Sequence, residues 1–167
     1  MRMRIGIPTE IKSDEYRVAI TPAGVRELAT RGHEVLVQAG AGLGSAIEDA
    51  DYRAQGAHIV PDAQSVFAEA ELVLKVKEPQ REEVGLLSEG QALFTYLHLA
   101  AAPDLAEGLR QSGATCIAYE TVEDGEGRLP LLAPMSEVAG KIATQAGAFM
   151  LEKPMGGRGL QIGRAHV

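Results

Sequence analysis

The chain of 167 residues has no tryptophan and one cysteine, and only 4% of its residues are aromatic. A single cysteine, Cys116, excludes an internal disulfide and a cysteine-rich metal site, and its place in an apolar run favours a small buried side chain. The formal net charge is −7, so clustered cations for a phosphate backbone are missing, as are aromatic platforms for stacking bases. We therefore expect no nucleic-acid partner.

Long hydrophobic runs are also missing. The sequence has no stretch of about 18 uncharged apolar residues, and its N-terminus leads into a strand-like segment, not into the apolar core of a signal peptide. We therefore expect a cytoplasmic protein without a membrane partner. The sequence does have 46% hydrophobic and 23% charged residues, which is typical of a globular domain.

Segments of strand type alternate with segments of helix type and are separated by many glycines. The pattern predicts strands at 4–7, 34–38, 58–60, 72–76, 92–97 and 115–119. It predicts helices at 22–31, 48–55, 63–68, 81–87 and 103–111, and a long helix at 136–152. Because the strands are apolar without alternation, we expect a parallel sheet with helices on both faces, which is a Rossmann-like (flavodoxin-like) α/β fold.

Polar side chains lie at or just after the ends of three predicted strands. Parallel α/β sheets bind ligands beyond the carboxyl ends of their strands, where Lys77, His98 and Glu120 are expected. A histidine that leaves a buried strand can act as an acid or base near neutral pH, although a hydrogen-bonded core histidine gives the same pattern. For Lys77 the alternative is a surface ion pair with Glu78.

Arg17 lies in a polar stretch between a strand and a helix. Its guanidinium could hold a carboxylate through two parallel hydrogen bonds, or it could be solvated. Met135 and Ser136 begin the long predicted helix and could line the same crevice, but core packing and helix capping explain them equally well.

A glycine-rich loop follows the second predicted strand. Gly40-x-Gly42 resembles the start of a dinucleotide fingerprint, but the third glycine of that pattern is replaced by Ser45. The motif therefore fails, and we interpret the loop as a glycine-rich turn.

Several segments closely resemble the alanine dehydrogenase family, and the resemblance is nearly gapless from residue 3 to about residue 160. The principal ones are Arg4–Pro8, Tyr16–Pro22, Gly32–Val35, Leu74–Pro79, Thr95–Ala100, Ala118–Thr121 and Leu131–Glu137. The α subunit of proton-translocating NAD(P) transhydrogenase and the lysine-forming saccharopine dehydrogenases share this architecture. Transhydrogenases lack the Lys-Glu-Pro and Leu-His-Leu-Ala-Ala patterns around Lys77 and His98, so alanine dehydrogenase is favoured.

The resemblance implies reversible oxidative deamination of L-alanine to pyruvate and ammonia with NAD, in a homo-oligomer that is often a hexamer. It implies that Arg17 and Lys77 hold pyruvate and that His98 is the catalytic acid or base. It also implies that Glu120 steadies one of the cations. Further pocket residues implied in the same way are Tyr96, Met135 and Ser136.

The family continues beyond this chain with an NAD-binding domain, and a second catalytic residue, an aspartate, also lies in the part of the family that is missing here. We therefore expect an incomplete substrate-binding domain at 1–133, and a linking helix with the start of the NAD-binding domain at 134–160. Residues 161–167 resemble the translation of a sequencing adapter and are interpreted as a non-native tail. The chain alone should be inactive. A transhydrogenase-type module and a non-catalytic small-molecule-binding domain are the alternatives.

Overall fold

The computed structural model describes residues 2–159 of the chain. The chain divides into two compact units, the first ending at Thr121 and the second beginning at Val122. The predicted non-native tail at 161–167 lies outside the described residues. The assignment of domains to 1–133 and 134–160 stays a prediction.

The first unit is built on a six-stranded sheet in which every neighbouring pair is parallel. The strands are β1 (Arg4–Ile7), β2 (Glu34–Gln38), β3 (His58–Val60), β4 (Leu72–Leu74), β5 (Ala92–Thr95) and β6 (Thr115–Ala118). The helices are α1 (Pro22–Thr30), α2 (Asp49–Ala54), α3 (Ala63–Glu69), α4 (Arg81–Val84) and α5 (Pro103–Ser112). The predicted α/β alternation is therefore confirmed.

The strands lie in the order β3-β2-β1-β4-β5-β6. This is the order of the Rossmann sheet, and it differs from the flavodoxin order 2-1-3-4-5. The Rossmann-like prediction is thus confirmed, whereas the flavodoxin order does not occur. The order depends on which side of β1 the chain returns to, and β4 returns on the side opposite to β2. Local sequence patterns do not indicate on which side of β1 the strand β4 pairs.

β4 is shorter than the predicted strand at 72–76. It ends at Leu74, and the amide of Val76 donates to the carboxylate of Glu10 at 2.6 Å. Because a side chain takes this donor, the backbone pairing with β1 does not reach Val76, although the carbonyl oxygen of Val76 still accepts from the amide of Tyr96 at 3.3 Å. The predicted strand therefore ends in side-chain contacts at its carboxyl end.

Two apolar clusters cover opposite faces of the sheet. One joins Ile7 of β1 to Val25 of α1 and Tyr52 of α2. The other joins Phe67 of α3 to Leu93 of β5. Successive side chains of a strand point to opposite faces, so helices pack on both sides of the sheet, as predicted.

Gly6 lies between the core residues of β1 and faces α3. A Cβ atom at Gly6 would lie 2.7 Å from both Val66 of α3 and Ala70, the residue that ends this helix, which is too close for any side chain. The absence of a side chain therefore lets α3 pack directly against β1, the strand in the middle of the sheet.

The second unit contains the long helix α6 (Ala133–Met150). The helix begins three residues earlier than predicted, because Pro134 fits its first turn, where a backbone N–H is not needed. Val138, Ile142 and Phe149 of this helix are exposed apolar side chains. Within residues 2–159, no helix is both long and apolar enough to cross a membrane.

Candidate active site

The candidate site lies at the carboxyl ends of β1, β4 and β5. β1 and β4 are neighbours in the sheet, but the chain continues from β1 to β2 on one side and from β4 to β5 on the other. Doubly wound sheets bind ligands at the crevice between two such strands. Lys77 follows β4, His98 follows β5, and Arg17 lies between β1 and α1. The structure therefore places all three predicted residues in loops at the carboxyl edge of the sheet.

The backbone of Lys77 is held from two sides. The hydroxyl of Thr95, at the end of β5, donates to the carbonyl oxygen of Lys77 at 2.8 Å. The amide of Lys77 donates to Glu10, in the loop after β1, at 3.4 Å. These contacts fix the backbone of the half-buried Lys77 between the end of β5 and the loop after β1.

The guanidinium of Arg17 holds Glu15 in a bidentate grip. Nε and a terminal nitrogen donate to the two carboxylate oxygens at 2.7 and 2.5 Å. Hydrogen bonds from Arg17 lower the pKa of Glu15 despite partial burial, and the charge of Lys77 lowers it further. Glu15 in turn raises the pKa of Arg17, to which Tyr96 also contributes. Arg17, Lys77 and Tyr96 thus share one electrostatic environment.

The glycine-rich turn supports the segment that carries Arg17. The hydroxyl of Ser45 donates to the carbonyl oxygen of Tyr16 at 3.1 Å, and a Cβ atom at Gly44 would lie 2.5 Å from the same oxygen. Only glycine allows the two backbone segments, at Gly44 and at Tyr16, to come this close. The turn is therefore structural, as the failed fingerprint indicates, and it fixes the residue next to Arg17.

His98 lies on a backbone that Glu120 holds in place. The Glu120 carboxylate accepts hydrogen bonds from the amides of Leu97 and His98, at 3.1 and 2.7 Å. Partial burial alone would raise the pKa of Glu120, but these hydrogen bonds lower it below its usual range. The backbone of His98 is left-handed, with φ of 50°. Its side chain is 51% exposed, so the alternative of a core histidine is wrong.

Glu120 was expected to steady one of the cations. Among the ion pairs of residues 2–159, however, none joins Glu120 to Arg17 or Lys77, and its carboxylate contacts backbone amides instead. Glu120 therefore positions the loop of His98. The sequence could not indicate this role, because it depends on which strand lies beside β6.

Aromatic rings pack beside His98. The ring of Tyr96 stacks on that of His98 with centroids 5.9 Å apart, and it contacts Tyr119 edge-on at 5.0 Å. Burial raises the pKa of Tyr119, which also packs edge-on against Phe94. The structure thus places Tyr96 beside His98, and it adds Tyr119, which sequence analysis missed although it immediately precedes Glu120.

A buried ion triad lies beneath the site. The ammonium of Lys75 donates to Glu10 at 3.1 Å and to Glu83 at 2.7 Å, and none of the three side chains is more than 3% exposed. Burial raises the pKa of Glu83, and Lys75 offsets part of that effect. Sequence analysis missed this triad, although a lysine inside an apolar run was a signal, because a buried charge requires a partner.

Met135 and Ser136 lie in the second unit, in the first turn of α6. The N-cap of this helix is Leu132, so the capping explanation for Ser136 is wrong. The assignment of both residues to the substrate pocket stays a prediction. Across residues 2–159, no group of three or more histidine, cysteine or acidic side chains could hold a metal ion.

The strand order defines a doubly wound α/β protein of the Rossmann type. Two cations and a histidine lie in the loops at the carboxyl edge of its sheet, where such proteins bind ligands. A family model described as "Alanine dehydrogenase/PNT, N-terminal domain" matches residues 6–139. The chain therefore belongs to the alanine dehydrogenase/PNT family, which confirms the resemblance seen in the sequence.

Individual relatives agree with this assignment. Alanine dehydrogenase of Mycolicibacterium smegmatis is 62% identical over 161 residues, which are 96% of this chain and 43% of that protein. The enzyme of Bacillus subtilis is 56% identical over 158 residues, covering 95% of this chain and 41% of that protein. The chain thus spans less than half the length of the curated relatives it matches.

Solved structures give the same result. An L-alanine dehydrogenase matches with a TM-score of 0.90 and 48% identity, over 98% of this chain and 45% of that one. The transhydrogenase from Sinorhizobium meliloti matches with a TM-score of 0.67 and 29% identity, over 70% of this chain and 33% of that one. The match to alanine dehydrogenase is the more extensive of the two.

Proposed function

We propose that this chain is the N-terminal, substrate-binding part of an NAD-dependent L-alanine dehydrogenase. The full-length enzyme would interconvert L-alanine and water with pyruvate and ammonia, and NAD would accept the hydride. The observation that carries this proposal is the placement of Arg17, Lys77 and His98 at the edge of the sheet where doubly wound proteins bind ligands. The relatives named alanine dehydrogenase support the choice of substrate.

The proposed roles follow from charge and geometry. Arg17 offers the bidentate fork that a substrate carboxylate requires, and Glu15 occupies that fork in this structure. Lys77 would face the carbonyl oxygen, which becomes negative as ammonia adds to the carbonyl carbon. His98 would give that oxygen a proton, take up a proton that the added nitrogen loses, and return it to the hydroxyl, which leaves as water. In the direction of alanine oxidation, His98 would take a proton from the attacking water.

The glycine-rich turn after β2 does not fit the pyrophosphate of NAD. A Cβ atom at Gly42 would lie 2.7 Å from the carbonyl oxygen of Ile47, and Gly44 is as closely packed on Tyr16. The backbone of this turn is therefore covered by the chain itself and does not offer a cradle for a pyrophosphate. We propose that NAD is bound by the remainder of a full-length enzyme, which we expect to be cytoplasmic and a homo-oligomer, often a hexamer.

The purified 167-residue chain should show no alanine-dependent formation of NADH. Hydride transfer requires the nicotinamide in contact with the substrate carbon, and the glycine-rich turn, which most resembles a dinucleotide fingerprint in this sequence, offers no cradle for it. The measurement is NADH absorbance with L-alanine and NAD, and a full-length relative serves as the positive control. A clear rate from the chain alone would contradict the proposal that it is an inactive part of the enzyme.

Two other functions compete with this proposal. One is a transhydrogenase-type module, which the structural match to a transhydrogenase supports to a lesser extent. Such a module would not require an oxo acid, so Lys77 and His98 would be replaceable without loss of function. A non-catalytic binding domain would instead bind pyruvate tightly as the isolated chain. Calorimetric titration of the chain with pyruvate separates this last function from an incomplete enzyme site.

Gly44→Ala should weaken substrate binding in the full-length enzyme. The new Cβ atom would clash with the carbonyl oxygen of Tyr16 and displace the neighbouring Arg17. We expect KM for pyruvate to rise roughly tenfold, since displacements near 1 Å can cost up to about a hundredfold. Gly85→Ala is the matched control, because the nearest atom to its Cβ is 3.7 Å away. Equal KM values for the two variants would show that the turn does not position Arg17.

A further inference from the structure

Glu78 has one carboxylate oxygen that is engaged and one that is not. One oxygen forms an ion pair with Lys12. The other, Oε2, is buried and is one of two buried side-chain polar atoms, within the part of the chain that the structure describes, that have no hydrogen-bond partner. Buried acceptors of this kind are rare and call for a donor. The Nδ1 atom of His98 lies 3.6 Å from this oxygen.

The imidazole of His98 approaches Glu78 from a backbone that is already fixed. Glu120 binds the amides of Leu97 and His98, and the ring stacks on Tyr96. The Nδ1 atom of the ring is therefore held toward Glu78. A small closure of the 3.6 Å gap would give a hydrogen bond of ordinary length.

The carboxyl group of Glu78 is ionised under ordinary conditions. Partial burial raises its pKa, but the hydrogen bond from Lys12 and the charges of Lys12 and His98 outweigh burial and hold that pKa below its usual range. An ionised carboxylate accepts hydrogen bonds and donates none. The imidazole must therefore bring a proton on Nδ1 to this contact.

We propose that Glu78 is a positioning residue for His98: its free oxygen accepts a hydrogen bond from Nδ1–H and leaves Nε2 as the nitrogen that exchanges a proton with the substrate. Neutral histidine carries one ring proton, and the partner of one nitrogen decides the state of the other. The catalytic meaning of this arrangement rests on the function proposed above. The arrangement itself is a property of this chain and can be measured without activity.

The tautomer of His98 tests the proposal directly. The 167-residue chain is prepared with ¹⁵N-labelled histidine, and the ring nitrogens are observed at a pH where the imidazole is neutral. Comparison with a His98→Asn variant assigns the signals among the four histidines. We expect His98 to carry its proton mainly on Nδ1, whereas free histidine in water favours Nε2. A predominant Nε2–H form in the unaltered chain would overturn the proposal, whatever any variant does.

Replacing Glu78 tests the cause. Glu78→Met keeps the length of the side chain and removes the acceptor, so His98 should revert to a predominant Nε2–H form. Glu78→Asp keeps the charge and should retain much of the Nδ1–H form. Glu82→Met is the matched control, since Glu82 is exposed on the neighbouring helix α4. An unchanged tautomer in a folded Glu78→Met chain would overturn the proposal.

Kinetics of the corresponding full-length enzyme separate this inference from the proposed function. Glu78→Met should lower kcat roughly tenfold to hundredfold, which is less than removal of the acid or base itself, and should leave KM for pyruvate within about twofold. If His98→Ala leaves turnover intact, the proposed function fails, while the tautomer result still stands. If His98→Ala abolishes turnover and Glu78→Met does not lower it, only the positioning role fails.

Discussion

Replacing His98 with alanine in the full-length enzyme should lower kcat by roughly a hundredfold to ten-thousandfold. The reason is that His98 is the half-exposed imidazole at the carboxyl edge of the sheet, with its backbone fixed by Glu120 and its Nδ1 facing Glu78. Steady-state kinetics in both directions measure the effect. KM for pyruvate should change little, because the histidine acts as charge develops in the transition state.

Two kinds of variant serve as controls: substitutions of the cations at the same site, and a substitution on the edge strand β3. Arg17→Ala and Lys77→Ala should mainly raise KM for pyruvate, since both are proposed to hold the ground-state substrate as well. His58→Ala removes an exposed histidine of the edge strand β3 and should leave kcat unchanged. Wild-type turnover in the His98→Ala enzyme would show that the histidine is structural, and the proposed mechanism would have to be abandoned.

Local signals in the sequence predicted the elements of the fold because each signal acts within a few residues. Thr21 caps α1 through its side chain, which accepts from the amide of Gly24, and Pro22 is its first residue, as the sequence indicates. The strand order could not be predicted in the same way. It is decided by the pairing of β1 with β4, which lies far along the chain.

The candidate site also has features that the sequence predicts locally and features that depend on distant contacts. Lys77 and His98 were found because a residue at a strand end is a local feature. Arg17 was a candidate from its polar stretch between a strand and a helix, and the family resemblance gave it a role. The partners of these residues are distant in sequence: Lys75 and Glu10 are 65 residues apart, and His98 and Glu120 are 22 apart. Such pairs depend on which strands are neighbours in the sheet, so a single sequence does not reveal them.

Lys75 carries the largest stability effect that we predict. Lys75→Met in the 167-residue chain should reduce the free energy of unfolding by about 3 to 5 kcal/mol, because Glu10 and Glu83 would remain buried without their cation. Domains of this size are stable by about 5–15 kcal/mol, so the loss would be a large part of the total. Urea unfolding followed by circular dichroism measures it. Arg31→Met is the control, because it removes an ion pair with Glu27 that is exposed on both sides, and its loss should cost about 1 kcal/mol or less.

A double variant shows whether the unpaired charge is the cause. In Lys75→Met/Glu83→Met the pair is replaced by apolar side chains, and such replacements are often neutral or stabilising. Glu10 keeps hydrogen bonds from the amides of Val76 and Lys77 at 2.6 and 3.4 Å, so it is not left without a partner. The double variant should therefore recover at least half of the lost stability. If it is as unstable as Lys75→Met, the loss comes from packing around the lysine stem and not from the buried carboxylates.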